Sequence, residues 1–291
     1  MTAACVAHVG SAAWEDLPAA LAAVRGRFGR VPVHPVAAPG DAEALAGELA
    51  GEVDVLLVFG GDGTVHEVAN GLPLPAGADG PLVALLPAGT GNDLARALGL
   101  PPDPVAAARA LMDGHPRPVD MLDCGPRRAA NGINAGFAAA ATEVLSRRVK
   151  RALGPTAYVV GGMVAGLRPP TWPVRVEVDG RVVDGEALAV VVGNGGSFGG
   201  GRWLLPDADV GDGLLDVLVV PAAASRARLA RTLAMDRRLP DDLPRLRGPA
   251  ATVVTAMPCR LDGEPAPTPG SVAVIPAAWR LLAPTPPRRS G

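Results

Sequence analysis

Up to about Met121, short apolar runs alternate with stretches of helical spacing, the pattern of an α/β layer fold with a parallel sheet. The pattern predicts a strand at Val6–Val9, an Ala-rich helix over Leu17–Phe28 and a second strand at Val31–Val36. Asp41–Leu49 offers an N-cap candidate followed by helical spacing. Val53–Phe59 is an almost unbroken apolar run, as suits a strand buried on both faces. It leads into Gly60-Gly61-Asp62-Gly63-Thr64, with a helix predicted from Val65 to Asn70. The next predicted strand, Leu82–Leu86, leads into Pro87-Ala88-Gly89-Thr90-Gly91-Asn92-Asp93, and Leu94–Leu98 opens another helix. Both glycine-rich loops therefore leave the carboxyl ends of strands, where open α/β sheets hold their ligands.

Beyond Met121 the pattern changes. Val174–Val178, Val182–Val183, Ala187–Val192, Leu214–Val220, Ala251–Thr255 and Val272–Ile275 read as short strands separated by Asp-Gly and glycine-rich turns. Val178-Asp179-Gly180-Arg181 carries a hairpin signal. Helical segments are expected at Pro155–Leu167 and Ser225–Leu239. The fold class that follows is an α/β N-terminal domain with a parallel sheet, residues 1–121, plus a mostly antiparallel, β-rich C-terminal domain, residues 122–283. Residues 284–291 read as a frayed tail.

Composition narrows the function classes. Apolar residues make up 48% of the 291 and charged residues 19%, so the chain reads as globular. With a net charge of -2 and a pI near 6.1, no global basic field points to nucleic acid. Cys5, Cys124 and Cys259 are odd in number and far apart, which fits reduced, cytoplasmic thiols better than a disulfide framework or a zinc site. Met1–Gly10 lacks the basic and apolar regions of a signal peptide. The apolar stretch near Ala157–Leu167 is too short to span a bilayer, so membrane contact is expected to be peripheral.

Gly60–Thr64 has the parts of a phosphate site. Adjacent glycines let the backbone approach an anion, and amides at the start of the following helix favour negative charge. Asp62 within such a loop implies a cation or a proton to accept; the alternative is a tight turn in which Asp62 is a cap. The loop is neither GxxxxGK[ST] nor GxGxxG. The helix around Ser225–Arg238 sets Arg226, Arg228, Arg231, Arg237 and Arg238 beside Leu229, Leu233 and Met235, which suits either an anionic membrane surface or a solvated face. An exposed sheet edge would leave a homodimer open.

The run Phe59–Leu72, joined about one βα unit later by Leu86–Arg96, resembles the diacylglycerol kinase catalytic domain family, which includes bacterial and sphingosine-type lipid kinases. The resemblance continues through Val119-Asp120-Met121, Asn131–Phe137, Gly193-Asn194-Gly195, Pro206-Asp207-Ala208, Asp212–Val217 and Leu261-Asp262-Gly263-Glu264. It implies an ATP- and Mg²⁺-dependent lipid kinase, cytoplasmic or peripheral at the inner membrane face, acting on a lipid hydroxyl at the membrane surface. ATP would be held by Gly10, Ser11, Gly60, Gly61, Asp62, Gly63, Thr64, His66, Glu67, Gly89, Thr90, Asn92 and Asp93, with Asn92 and Asp93 also able to hold their loop shut. Glu264 would be the general base, with Asp62 the competing one; without the resemblance, Leu261–Glu264 is simply a hairpin turn. Asp209, Asp212 and Leu214 match positions that hold a structural Mg²⁺, Asp212 through its carboxylate and the others through carbonyls.

Two departures from the family stand out. Gly211 occupies a place where relatives often have an acid, and His8-Val9-Gly10-Ser11-Ala12 replaces an Asn-Pro opening. The rivals are an NAD kinase-like enzyme, which shares the Gly-Gly-Asp-Gly-Thr loop, and a catalytically silent lipid- or nucleotide-binding protein.

Overall fold

The computed structural model describes residues 1–74, 80–136, 170–235 and 239–284. The helix expected at Pro155–Leu167, the end of the Asn131–Phe137 motif and nearly all of the tail lie outside the described residues. The chain divides into two units. The first holds Met1–Met121, Val210–Gly213 and the chain from Ile275; the second holds Leu122–Asp209 and Leu214–Val274. The sequence pattern marks the division at Met121, but it gives no sign that the chain re-enters the first unit twice.

In the first unit, strands β1 (Ala3–His8), β2 (Val33–Val36), β3 (Val55–Gly60) and β4 (Leu82–Pro87) form a parallel sheet in the order β2-β1-β3-β4. The end of the last strand adds to β4 in parallel, with Arg280 opposite Leu82. Every residue of β3 is buried, which is why its sequence is apolar without alternation. Helices α1 (Leu17–Phe28) and α2 (Asp41–Leu49) have the expected bounds. They are followed by α3 (Asp62–Gly71), α4 (Asp93–Ala97) and α5 (Pro104–Ala110). Right-handed crossovers send α1 to one face and α2 and α3 to the other, because β1 connects outward to β2 while β2 returns across it to β3. The packing of α2 on α3 and of α1 on α5 agrees. Gly71 and Gly47 permit the first of these contacts, since a Cβ on Gly71 would strike the Glu43 carbonyl. The strand order reverses between β1 and β3, so the sheet's ligand crevice is expected outside their carboxyl ends. At the outer edge β2 is four residues long and carries Pro35, features that oppose edge pairing with a second copy.

Strand β5 (His115–Asp123) leads into the second unit. There β6 (Arg128–Ala129), β7 (Gly132–Gly136), β8 (Trp172–Val178) and β9 (Arg181–Gly193) are followed by a short ribbon, β10 (Ser197–Phe198) with β11 (Arg202–Trp203). After β12 (Leu215–Pro221) come α6 (Arg226–Met235), β13 (Arg245–Gly248), β14 (Ala250–Thr255), β15 (Cys259–Leu261), β16 (Glu264–Ala266) and β17 (Ser271–Ala283). The two segments predicted at Val182–Val183 and Ala187–Val192 are one thirteen-residue strand, β9. Gly185, at φ 141°, lets it pass without interruption from pairing β8 to lying between β7 and β12.

Alternation along β9 and β12 serves two cores. Val190 and Val192 with Val217 and Val219 face one, built with β7, β8, β14 and β15. Val191 with Leu218 and Val220 faces the other, which the ribbon's Phe198 and Leu229 and Leu233 of α6 cover. Burying the leucines of α6 inward leaves Arg228, Arg231 and Met235 exposed, with Arg228 paired to Asp242 at 2.7 Å.

Candidate active site

The first loop is shorter than its sequence suggests. Helix α3 begins at Asp62, so only Gly61 separates it from β3. Gly61, with φ -98° and ψ -169°, stands at the N-cap without any side-chain cap. The Thr64 side chain folds back instead, occupying the space that a Cβ on Gly60 would need. The first-turn amides of α3 have no partners within the helix, so they and the helix dipole present positive potential at the end of β3.

The second loop closes on itself. Asn92, at φ 54°, accepts from the Gly89 amide through Oδ1 at 3.1 Å and donates through Nδ2 to the Gly89 carbonyl at 2.8 Å. Arg96 Nε donates to the Gly91 carbonyl at 3.1 Å. The two loops are then fastened together. The Asp62 carboxylate accepts from the Asn92 amide at 2.8 Å and the Asp93 amide at 2.7 Å. The Ala88 amide donates to the Gly60 carbonyl at 2.9 Å. Gly61 and Gly89 touch backbone to backbone; a Cβ on Gly89 would lie 2.6 Å from the Gly61 Cα. The cavity beneath, lined by Val58, Asp62, Leu85, Asn92 and their neighbours, has about 10 Å³ of room, one water at most. That space is too small for a phosphate, and Thr90 of the same loop is exposed.

Around the crossing, Ser11 turns back on β1 by donating its amide to the His8 carbonyl, and Gly10 donates its amide to His8 Nδ1 at 3.1 Å. Trp14 meets Phe59 edge to face, with ring centroids 6.3 Å apart. Glu67 accepts from the Ala42 amide at 3.1 Å, tying α3 to the start of α2. The amides of Ala38 and Ala37 hold the Asp41 carboxyl below the usual carboxylate range at that same helix start. His66 is buried, and its carbonyl accepts from Asn70 Nδ2.

In the second unit, Leu261 pairs with Glu264 across a two-residue Asp262-Gly263 turn, both turn residues at positive φ. Glu264 is exposed, and among the described residues its carboxylate makes no hydrogen bond or ion pair. Asp262 accepts from the amides of Ala130 at 2.8 Å, Asn131 at 2.9 Å and Gly132 at 2.9 Å. Asn131 in turn donates to the Ser197 carbonyl, and Asn194 to the Ala130 carbonyl.

Asp209 and Leu214 belong to the second unit and Asp212 to the first; both aspartates are exposed. Among the described residues no three His, Cys, Asp or Glu side chains converge as a metal centre. A lone carboxylate with backbone carbonyls supplies the hard oxygen donors that suit Mg²⁺ with several waters retained. Gly211 has its own reason: a Cβ there would lie 2.8 Å from the Pro118 carbonyl, so this backbone has no place for the relatives' acid.

Sequence reasoning assigned no role to Asp120 or Asp262. Asp120 is buried and accepts from the amides of Gly213 and Ala277, each at 2.7 Å. Its own amide donates to the Val210 carbonyl, so three separate segments of the first unit meet on it. Asp120 lies in a motif without any local signature of such a role, and Asp262 is masked by the turn chemistry of its own Asp-Gly pair.

An α/β unit whose parallel sheet carries two crossed glycine loops, followed by a β-rich unit, is the architecture of diacylglycerol kinase-like proteins. A diacylglycerol kinase from Bacillus anthracis strain Sterne has a crystal structure that matches with a TM-score of 0.79 and 26% identity, covering 98% of this chain and 97% of that one. Residues 10–124 match the diacylglycerol kinase catalytic domain, and residues 131–283 match the YegS C-terminal NAD kinase beta sandwich-like domain. A Pseudomonas aeruginosa protein named "Probable lipid kinase YegS-like" is 36% identical over 264 residues, 89% of this chain and 86% of that protein. A Xanthomonas oryzae relative of the same name is 34% identical over 284 residues, 92% of each. The chain belongs to the YegS-like family of lipid kinases, of the bacterial diacylglycerol kinase type.

Proposed function

We propose that this chain is an ATP- and Mg²⁺-dependent kinase that phosphorylates a hydroxyl of a lipid such as diacylglycerol or a sphingoid alcohol. The observation that carries the reading is the crossing of Gly60-Gly61-Asp62 with Gly89–Asp93 at the carboxyl ends of β3 and β4, fastened by Asp62. Beside it stand the first-turn amides of α3 and the exposed Thr90, with Gly10 and Ser11 just past the end of neighbouring β1. These groups would hold the phosphates of ATP, which supplies the transferred phosphoryl group, while Mg²⁺ held by Asp212 and the carbonyls of Asp209 and Leu214 would offset negative charge.

Glu264 is the better of the two candidate bases. Both Asp62 oxygens already accept backbone amides, whereas the Glu264 carboxylate is exposed and shared with nothing among the described residues. It would take the proton of the lipid hydroxyl as that oxygen attacks. Among the described residues no helix is long and apolar enough to cross a membrane. The protein would meet its lipid peripherally, from the cytoplasm.

The deciding measurement is transfer of labelled phosphate from Mg·ATP to a panel of lipid alcohols in mixed micelles, with NAD in a parallel reaction. Labelled lipid from the wild type, and roughly 100- to 10,000-fold less from Glu264→Gln, is the expected result. Label on NAD would move the assignment to the NAD kinase chemistry that the C-terminal domain's likeness also allows. ATP binding with no labelled product would make the protein a silent binder.

A further inference from the structure

The second unit contains the same two-residue turn twice. Asp179 and Asp262 have φ of 48° and 49°, and the glycines after them 74° and 96°. One turn joins Val178 to Arg181, the other Leu261 to Glu264. Their surroundings differ. Among the described residues the exposed Asp179 carboxylate accepts no hydrogen bond, so an Asp-Gly turn closes without an anchor. Asp262 accepts three amides from 130–132 and donates its own amide to the Gly132 carbonyl at 2.9 Å. On the other side, Arg260 Nη1 donates to the Gly263 carbonyl at 2.7 Å. These bonds are not needed to make the turn. Their effect is to fix it in place against the start of β7.

What the turn carries is Glu264, whose exposed carboxylate has no hydrogen bond of its own among the described residues to aim it. We propose that Asp262 and Arg260 are positioning residues for Glu264: they hold the turn from both sides so that the carboxylate is presented at a fixed point. The proposal rests on Glu264 being the proton acceptor. A displacement of about 1 Å in such a group can lower turnover on the order of 100-fold.

The test is a double-mutant cycle on lipid phosphorylation. Asp262→Gly removes the anchoring carboxylate while glycine keeps the positive φ, and Asp179→Gly makes the same change in the unanchored turn. Asp262→Gly should lower kcat roughly 10- to 100-fold and leave KM for ATP within about twofold, because only the presentation of Glu264 changes. Asp179→Gly should match wild type. Combined with Glu264→Gln, Asp262→Gly should cause no further loss, because a residue that acts through Glu264 has nothing left to position. Wild-type kcat in Asp262→Gly, or a double variant reduced by the product of the two single losses, overturns the positioning role alone. Wild-type kcat in Glu264→Gln overturns the base assignment and the positioning role with it. Should thermal unfolding show Asp262→Gly to be unfolded, Arg260→Met, which removes only the bond to Gly263, enters the same cycle with a smaller kcat loss and the same absence of further loss expected.

Discussion

Each unit spends the carboxylate of an Asp-Gly aspartate on backbone amides far away in the chain. Asp62 holds Asn92 and Asp93, and Asp262 holds Ala130, Asn131 and Gly132. The two ties differ in what they leave over. In the first unit the tied aspartate is itself a residue that the sequence offers as a base, and what remains for a ligand is the backbone around it. In the second unit the tie leaves Glu264, two residues on, with its oxygens unshared among the described residues. Charge-assisted bonds to backbone amides are strong enough to make a carboxylate a fastener. The most charged residue of a motif can therefore be the one that shapes the site, while the residue free for chemistry sits in an ordinary-looking turn.

The largest effect is expected from Asp62→Ala. It leaves two amides of largely buried residues without their acceptor, and should lower stability by about 2 kcal/mol in thermal unfolding. With the crossing loosened, lipid phosphorylation should fall roughly 100- to 1000-fold. Loss of transfer at unchanged stability would break the comparison, because Asp62 would then act on the substrate and not on the loops.

Next in size are the glycines beside the two aspartates, which are needed for different reasons. A Cβ on Gly89 meets the Gly61 backbone and, at 3.0 Å, Asn92 Oδ1, so Gly89→Ala should push the loops apart at about 1–3 kcal/mol. Gly263 has open space around it but sits at φ 96°, so Gly263→Ala should lose about 1–2 kcal/mol through backbone strain alone. Denaturant midpoints that rank these the other way would mean the crossing has more slack than its geometry suggests.

Much of this was legible in the sequence where the signal is local. α1 and α2 keep their expected bounds because helical spacing and a turn signal delimit them. β3 was readable from an unbroken apolar run. The start of α3 was misjudged by three residues, because glycines read as loop although Gly61 and Asp62 open the helix. β5 was not legible: His115, Pro116, Arg117 and Pro118 break any strand pattern, and the strand extends through them regardless. The site residues divide in the same way. The glycine loops declare themselves, whereas the fastening role of Asp62 depends on amides 30 residues away and that of Asp262 on amides about 130 residues away. Nothing at either aspartate encodes its partner, and nothing around Val119-Asp120 announces that Gly213 and Ala277 will donate to it.

The smallest expected effect compares the units through their buried thiols. Burial pushes the Cys5 thiol of the first unit up to about 12 from an ordinary 9.0. In the second unit burial pushes Cys259 up to about 11, and burial, with the nearby Asp262 charge, raises Cys124 further. Each folded-state value lies above the unfolded one, so the stabilisation is complete below pH 9 and is lost as pH rises toward the folded value. Few other side chains titrate there, since the chain has one Lys and one Tyr. From pH 8 to about 9.5 each thiol should cost on the order of 1 kcal/mol of stability. Cys5→Ala should remove one share of the slope of stability against pH, and Cys124→Ala with Cys259→Ala two shares. Urea unfolding of the wild type and these two variants across that range measures those shares directly. A slope unchanged in Cys124→Ala with Cys259→Ala would mean that the core behind the Asp262 turn admits water and that the anchored turn does not rest on a closed interior.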